Sequence, residues 1–203
     1  MKKGRLIVIS GPSGVGKGTV VKGLIARDPN VRLSISATTR EIRPSETHGV
    51  QYYFITKEEF EQKIGEGAFL EYAVYANNYY GTPEAPVNRM LEEGLDVILE
   101  IEVQGGLQIM EKRPDAIAIF IAAPSLEALE ARLRGRGDTA EDVIRKRLDI
   151  AKQEYRVAPR YQYVVVNDAI EDAVNDVASI LRADALRGDR QKDVLNLDTN
   201  KGD

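Results

Sequence analysis

The stretch Arg5-Leu-Ile-Val-Ile-Ser-Gly11-Pro-Ser-Gly-Val-Gly16-Lys17-Gly18-Thr19-Val-Val-Lys-Gly-Leu-Ile-Ala26 decides the fold. It opens on a short apolar run of strand type and closes on an amphipathic helical stretch. Strand, Gly-rich turn and helix start, in that order, are the context of a P-loop. The glycines let successive backbone N–H groups point inward, and the helix N-terminus adds partial positive charge. Gly11, Pro12, Ser13, Gly14, Val15, Gly16, Lys17, Gly18 and Thr19 are therefore expected to cradle the phosphates of ATP. Lys17 supplies a full charge for the β- and γ-phosphates.

One position departs from the usual pattern. Gly18 follows the lysine where a Ser or Thr hydroxyl would ligate Mg²⁺. Thr19 comes one place later, so its hydroxyl points elsewhere on the helix start. The cradle survives, because backbone amides make it, but direct protein ligation of the metal does not follow. Nucleoside monophosphate kinases resembling adenylate kinase also carry Gly-Lys-Gly-Thr, which favours a small-molecule kinase over a motor or GTPase. The Asn-Lys-x-Asp guanine motif of GTPases is missing; Asn167-Asp168 is not one.

The bulk composition sets limits. A chain of 203 residues, 43% hydrophobic, buries one substantial core. A formal charge of −4 argues against a nonspecific nucleic-acid binder, so any anion site arises from local clustering of Lys and Arg. There are no cysteines, which excludes disulfides, thiol catalysis and zinc-thiolate sites. His48 is the only histidine and falls in a Gly-adjacent turn, so multi-histidine metal sites are excluded too. No apolar run approaches the roughly 18 residues of a membrane span, and the expected location is cytosolic.

Apolar runs that read as buried strands recur at Leu6–Ile9, Val97–Ile101, Ala116–Ile121 and Tyr163–Val166, separated by helical patterns. That alternation predicts an α/β fold of the P-loop type, three layers about a central parallel sheet. Ser125 is a natural N-cap for a helix carrying Leu126, Leu129 and Leu133 on one face. A second helix is expected from Thr139, with Asp142 completing a capping box. The last helix runs from about Ile170 to Leu186. The tyrosine-rich, charged segment 36–94 reads as an insert over the sheet's C-terminal edge, where open α/β sheets bind ligands. The expected organisation is one kinase domain, 1–188. Its core is 1–35, 95–133 and 158–188, with a small mixed insert at 36–94, a mobile lid at 134–157 and a polar tail at 189–203.

The insert opens with Thr38-Thr-Arg40-Glu-Ile-Arg43-Pro-Ser-Glu46-Thr-His-Gly49-Val-Gln-Tyr52-Tyr-Phe54. Two arginines three apart, followed by a tyrosine, form a compact anion clamp. Guanidinium matches phosphate oxygens bidentately, and a phenol adds one hydrogen bond. This run resembles the guanylate kinase signature Thr-Thr-Arg-x-x-Arg-x-x-Glu-x-x-Gly-x-x-Tyr-x-Phe and fits it at every defined position. The resemblance continues through Glu71, Asn78-Tyr-Tyr-Gly-Thr82, Glu100-Ile-Glu-Val-Gln-Gly105, Arg132-Leu-Arg-Gly-Arg-Gly137 and Val164-Val-Val-Asn-Asp168. It covers nearly the whole chain except the tail.

The resemblance implies Mg²⁺-dependent transfer of the ATP γ-phosphoryl group to GMP, and to dGMP, without a covalent intermediate. Such an activity serves purine metabolism and GTP supply. It implies that Arg40, Arg43, Tyr52 and Tyr80 hold the GMP phosphate, with Ser36, Glu71, Thr82 and a carboxylate at Glu100 or Glu102 around the guanine. Guanine offers N1–H and N2–H₂ as neighbouring donors, which one carboxylate accepts together. Adenine presents an acceptor at N1, and such a mismatch is rejected by about 10⁴-fold or more. A hydroxyl at Thr82 or Ser36 is expected to donate to guanine O6. Glu100 also ends an apolar strand, the position from which a carboxylate orients Mg²⁺ through water. Arg136 and Arg147 are implied as lid arginines that join Lys17 and Arg40 in stabilising the transferring group. Asn167 is implied near the adenine and also reads as a cap for the helix that follows.

Overall fold

Every residue of β1 (Leu6–Ser10) is buried, as a strand covered on both faces requires. In a computed structural model, which describes residues 3–75, 77–135 and 140–191, β1 lies at the centre of a five-stranded sheet. The other elements in chain order begin with α1 (Lys17–Arg27), β2 (Val31–Leu33), β3 (Ala37–Thr38), β4 (Tyr53–Phe54) and α2 (Lys57–Gly65). They continue with β5 (Phe69–Tyr75), β6 (Asn78–Pro83), α3 (Glu84–Glu92), β7 (Asp96–Glu100), α4 (Val103–Lys112) and β8 (Ile117–Ala122). The remainder are α5 (Leu126–Arg134), α6 (Glu141–Val157), β9 (Tyr163–Val166) and α7 (Ile170–Ala185). The central sheet runs β2-β7-β1-β8-β9, and all its pairings are parallel.

Alternation along β1 creates the three layers. Ile7 and Ile9 pack with Val20 and Leu24 of α1, Leu129 and Leu133 of α5, and Val174 and Val177 of α7. Leu6 and Val8 face the other way, toward Val87 and Leu91 of α3 and Ile109 of α4. The expected α/β architecture is therefore present, with each face of the sheet under helices.

A second sheet, β4-β3-β6-β5, is mixed: β3 and β4 are parallel, while β6 is antiparallel to β3 and β5. Phe60 of α2, fully buried, stacks on Phe69 at 4.3 Å and Tyr79 at 5.0 Å to give this sheet its own small core. The sequence segment 36–94 also takes in α3, which by packing belongs to the central core.

Local chemistry sets the helix starts. Ser125 Oγ accepts from Ala128 N at 3.1 Å to cap α5, and Thr56 Oγ1 accepts from Glu59 N at 3.1 Å to cap α2. α6 begins at Glu141, with Ala140 in the cap position and no side-chain cap bond. The expected cap Thr139 lies outside the described residues. One strand reading needs correction, and one strand went unread. β9 is an edge strand, with Val165 buried and Tyr163, Val164 and Val166 exposed. β2 buries only Val31 and so leaves no apolar run in the sequence.

On α6, Ile144 and Ala151 enter the core, and Glu154 follows three residues later. Burial pushes the Glu154 carboxyl up from 4.5 to about 7, with Glu102 adding to the rise and Lys17 opposing it. A carboxyl raised in the folded state holds a proton that the unfolded chain releases, so stability falls as pH rises from 4.5 toward 7. Glu154→Gln is therefore expected to melt with the parent protein at pH 4.5 and about 2–4 °C above it at pH 8. Differential scanning calorimetry across that range checks this, and an offset that does not change with pH contradicts it.

Candidate active site

The C-terminal ends of β1 and β7 put the glycine-rich loop and two carboxylates side by side. Gly11 and Gly16 hold φ of 144° and 90°, a region that L side chains rarely adopt. Space forbids a side chain as well: a Cβ on Gly11 would lie 2.2 Å from the Ile121 carbonyl oxygen, and one on Gly16 would lie 2.5 Å from Asn167 Nδ2. Asn167, almost fully buried, donates Nδ2 to the Val15 carbonyl at 2.7 Å. Arg132 donates in turn to the Asn167 carbonyl at 2.8 Å. Asn167 is thus a brace beneath the loop and not a helix cap; Ala169 occupies the cap position of α7 with no side-chain bond.

Lys17 curls over this loop, donating Nζ to the Gly11 carbonyl and, at 3.3 Å, to that of Pro12. Pro12, Ser13, Gly14, Gly16, Lys17, Gly18, Thr19 and Lys22 line a cleft of about 360 Å³ together with Glu100 and Glu102. Lys22 is a second cation there that the sequence reading gave no role. Its signal is its place one helical turn beyond Gly18.

A neighbouring cavity of about 270 Å³ is lined by Ser36, Tyr52, Glu71, Ala73, Tyr75, Tyr80, Gly81, Glu100, Ile101 and Glu102. The two clefts share Glu100 and Glu102. Glu71 is 4% exposed, and burial pushes its carboxyl above the usual range. Thr82 donates to Glu71 Oε1 at 2.6 Å, opposing that rise. Thr82 is itself fully buried, and the carboxylate it bonds to lines the cavity. Its hydroxyl serves Glu71, and Ser36 lines the cavity.

Arg40 meets Glu46 with both terminal guanidinium nitrogens, at 3.0 and 2.8 Å, and Glu46 also accepts from the Arg43 backbone N–H at 3.0 Å. The Arg40 guanidinium lies 5.6 Å from the ring centre of Tyr52 and 5.5 Å from that of Phe54. Tyr52 and Tyr80 meet edge to face at 6.0 Å. Arg40, Tyr52 and Tyr80 are thereby gathered, while Arg43 is exposed and lines neither cleft. Glu46 is the residue that sequence reasoning passed over, although it occupies a defined position of the signature.

Other expected residues stand further off. Arg147 is half-buried on α6 and lines neither cleft. Arg136 lies outside the described residues. Among the described residues no three His, Cys, Asp or Glu side chains cluster as a metal site. The Glu100 carboxylate instead lies over Gly18, where a Cβ would come within 3.3 Å of Oε1. Burial raises the Glu100 carboxyl and Lys17 opposes the rise. Among the described residues no helix is long and apolar enough to cross a membrane.

This arrangement has close relatives. A guanylate kinase of Lactococcus lactis is 51% identical over 189 residues, 93% of this chain and 92% of the relative. A guanylate kinase of Synechocystis sp. is 52% identical over 179 residues, 88% of this chain and 94% of the relative. The crystal structure of guanylate kinase from Anaplasma phagocytophilum superposes with a TM-score of 0.79 at 31% identity, covering 100% of this chain and 98% of that one. The profile of the guanylate kinase family matches residues 3–184. With the family profile spanning both clefts and the helices behind them, the chain belongs to the guanylate kinase family.

Proposed function

We propose that this chain transfers the γ-phosphoryl group of ATP to GMP, forming ADP and GDP. The observation that carries this reading is the meeting of two unlike clefts at Glu100 and Glu102. One is glycine-rich and holds Lys17 and Lys22, which suits a triphosphate. The other has tyrosine walls, Arg40 beside them and a buried carboxylate at its base, which suits a purine monophosphate.

Ionised Glu71 accepts N1–H and N2–H₂ of guanine, and the Thr82 donor favours that ionised form. Arg40 and Tyr52 take the GMP phosphate, with Tyr80 and Arg43 completing the clamp. Incoming phosphate competes with Glu46 for Arg40, whose geometry is already set by that partner. Lys17 leaves the Gly11 and Pro12 carbonyls for the β- and γ-phosphates of ATP. Gly11 to Thr19 supply the backbone cradle, and Asn167 keeps its shape from below. Arg136 and Arg147 complete the charge neutralisation, and Arg147 reaches the phosphates when α6 moves toward the loop.

Mg²⁺ bound with ATP supplies charge neutralisation across the phosphates. Glu100, whose carboxylate lies beside Gly18, would hold it through water, in keeping with an ion that retains several waters beside one or two carboxylates. Phosphoryl transfer depends on positioning and charge more than on acid–base chemistry. That suits a chain with one histidine and no cysteine. The GMP α-phosphate oxygen attacks in line, without a covalent intermediate on the protein.

Three substitutions test these roles. Lys17→Ala is expected to lower kcat by about 10²-fold or more while changing the KM for GMP by less than about threefold; equal loss in both contradicts the role. Arg40→Ala is expected to raise the KM for GMP by about 10–100-fold, and an unchanged value removes Arg40 from the clamp. Glu71→Gln is expected to narrow the GMP-over-AMP ratio of kcat/KM by about 10²-fold or more. An unaltered ratio moves base recognition away from Glu71.

A further inference from the structure

We infer that Gly105, in the first turn of α4, is a positioning residue for base selectivity: its missing side chain is the space in which the Glu71 carboxylate stands. The inference rests on the reading of Glu71 as the group that recognises guanine.

α4 carries two adjacent glycines, Gly105 and Gly106, both buried and neither at positive φ. Glycine is a poorer helix former than alanine, so backbone conformation gives no reason for either. Room does. A Cβ on Gly105 would lie 2.3 Å from Glu71 Oε2, 3.0 Å from its Cδ and 3.4 Å from its Cγ. All three atoms belong to one side chain. A Cβ on Gly106 would instead meet Tyr161 OH at 2.3 Å and Ser10 Oγ at 2.6 Å, on another side of the helix.

Neither partner in the Gly105 contact moves without breaking a hydrogen bond. Glu71 Oε1 is held by Thr82, and the two residues are paired across β5 and β6. Gly81 presses on the same strand, where a Cβ would lie 3.0 Å from the Glu71 carbonyl oxygen. α4 is fastened to β5 on both sides of Glu71. Gln108 donates to the Tyr72 carbonyl at 2.9 Å, and Lys112 donates to that of Leu70 at 2.9 Å. A methyl group at 105 therefore displaces the end of the Glu71 side chain and leaves the helix in place. The carboxylate then loses either Thr82 or its alignment with the base.

The test is steady-state kinetics with GMP and with AMP on five proteins: the parent, Gly105→Ala, Glu71→Asp, the double variant and Gly106→Ala. Gly105→Ala is expected to raise the KM for GMP about tenfold or more and to narrow the GMP-over-AMP ratio, with the KM for ATP unchanged. Glu71→Asp withdraws the carboxylate by one methylene, which makes room for the methyl. The double variant is therefore expected to bind GMP better than Gly105→Ala alone, an effect of opposite sign to independent losses. Gly106→Ala is expected to lower the melting temperature and keep the base preference. Unchanged GMP kinetics in Gly105→Ala, or losses that multiply in the double variant, overturn the inference. If Gly105→Ala does not fold, recovery of folding in the double variant supports it, and failure of both places the collision elsewhere and overturns it. Glu71→Gln separates the two claims. If it leaves base preference intact, the reading of Glu71 falls; if it narrows the preference and Gly105→Ala does not, only the role of Gly105 falls.

Discussion

The loop between β1 and α1 depends on one buried amide. Asn167, at the end of β9, donates to the Val15 carbonyl and so fixes the loop against the sheet. Its own carbonyl is held by Arg132 of α5. An edge strand, a helix and the phosphate loop are thereby tied at a single point, two strands away from β1. Without that tie the loop would have to order its own glycines when phosphate arrives, at an entropic cost that weakens binding. The bulk of the fold serves the same end: parallel strands deliver the loop, Glu100 and Asn167 to one edge of the sheet.

Charge is managed locally. The chain is acidic overall, at −4, yet cations stand at both clefts. Lys17 and Lys22 stand in one cleft, and Arg40 stands against the other with its orientation set by Glu46. On the proposed reading, pairing this cation before substrate comes lowers the gain on binding, because phosphate competes with the carboxylate. In exchange, a long side chain is held near its working position between two aromatic rings. The carboxylates follow a different rule. Glu71 and Glu100 are raised by burial, each offset by a neighbour, Thr82 for the first and Lys17 for the second. They are acceptors waiting for donors or cations.

Much of this was legible in the sequence where chemistry is local. The glycine-rich loop, the Ser125 and Thr56 caps and the buried runs of β1, β7 and β8 follow from residue type and spacing alone. The clamp was legible as a cluster of arginines and tyrosines, and the extended resemblance assigned it to a nucleotide. What the sequence hid depends on contacts between distant segments. Asn167 braces a loop 152 residues away, and Thr82 donates its hydroxyl to Glu71 on the neighbouring strand. β9 looked buried because its apolar run does not reveal that it forms an edge. α3 sits inside the insert by sequence but joins the central core by packing. His48 is exposed as read, but in place of a turn it forms an isolated bridge with Tyr52, and its Nδ1 accepts from Phe54 N at 3.2 Å.

The choice of acceptor is the decisive property of this chain. A coupled assay of ADP release with ATP and Mg²⁺, run separately with GMP, AMP, UMP and CMP, tests it most directly. Rapid turnover with GMP and only background with the other three is the predicted result. Turnover that does not favour GMP, or none with any acceptor in a protein that still binds GMP, would contradict it.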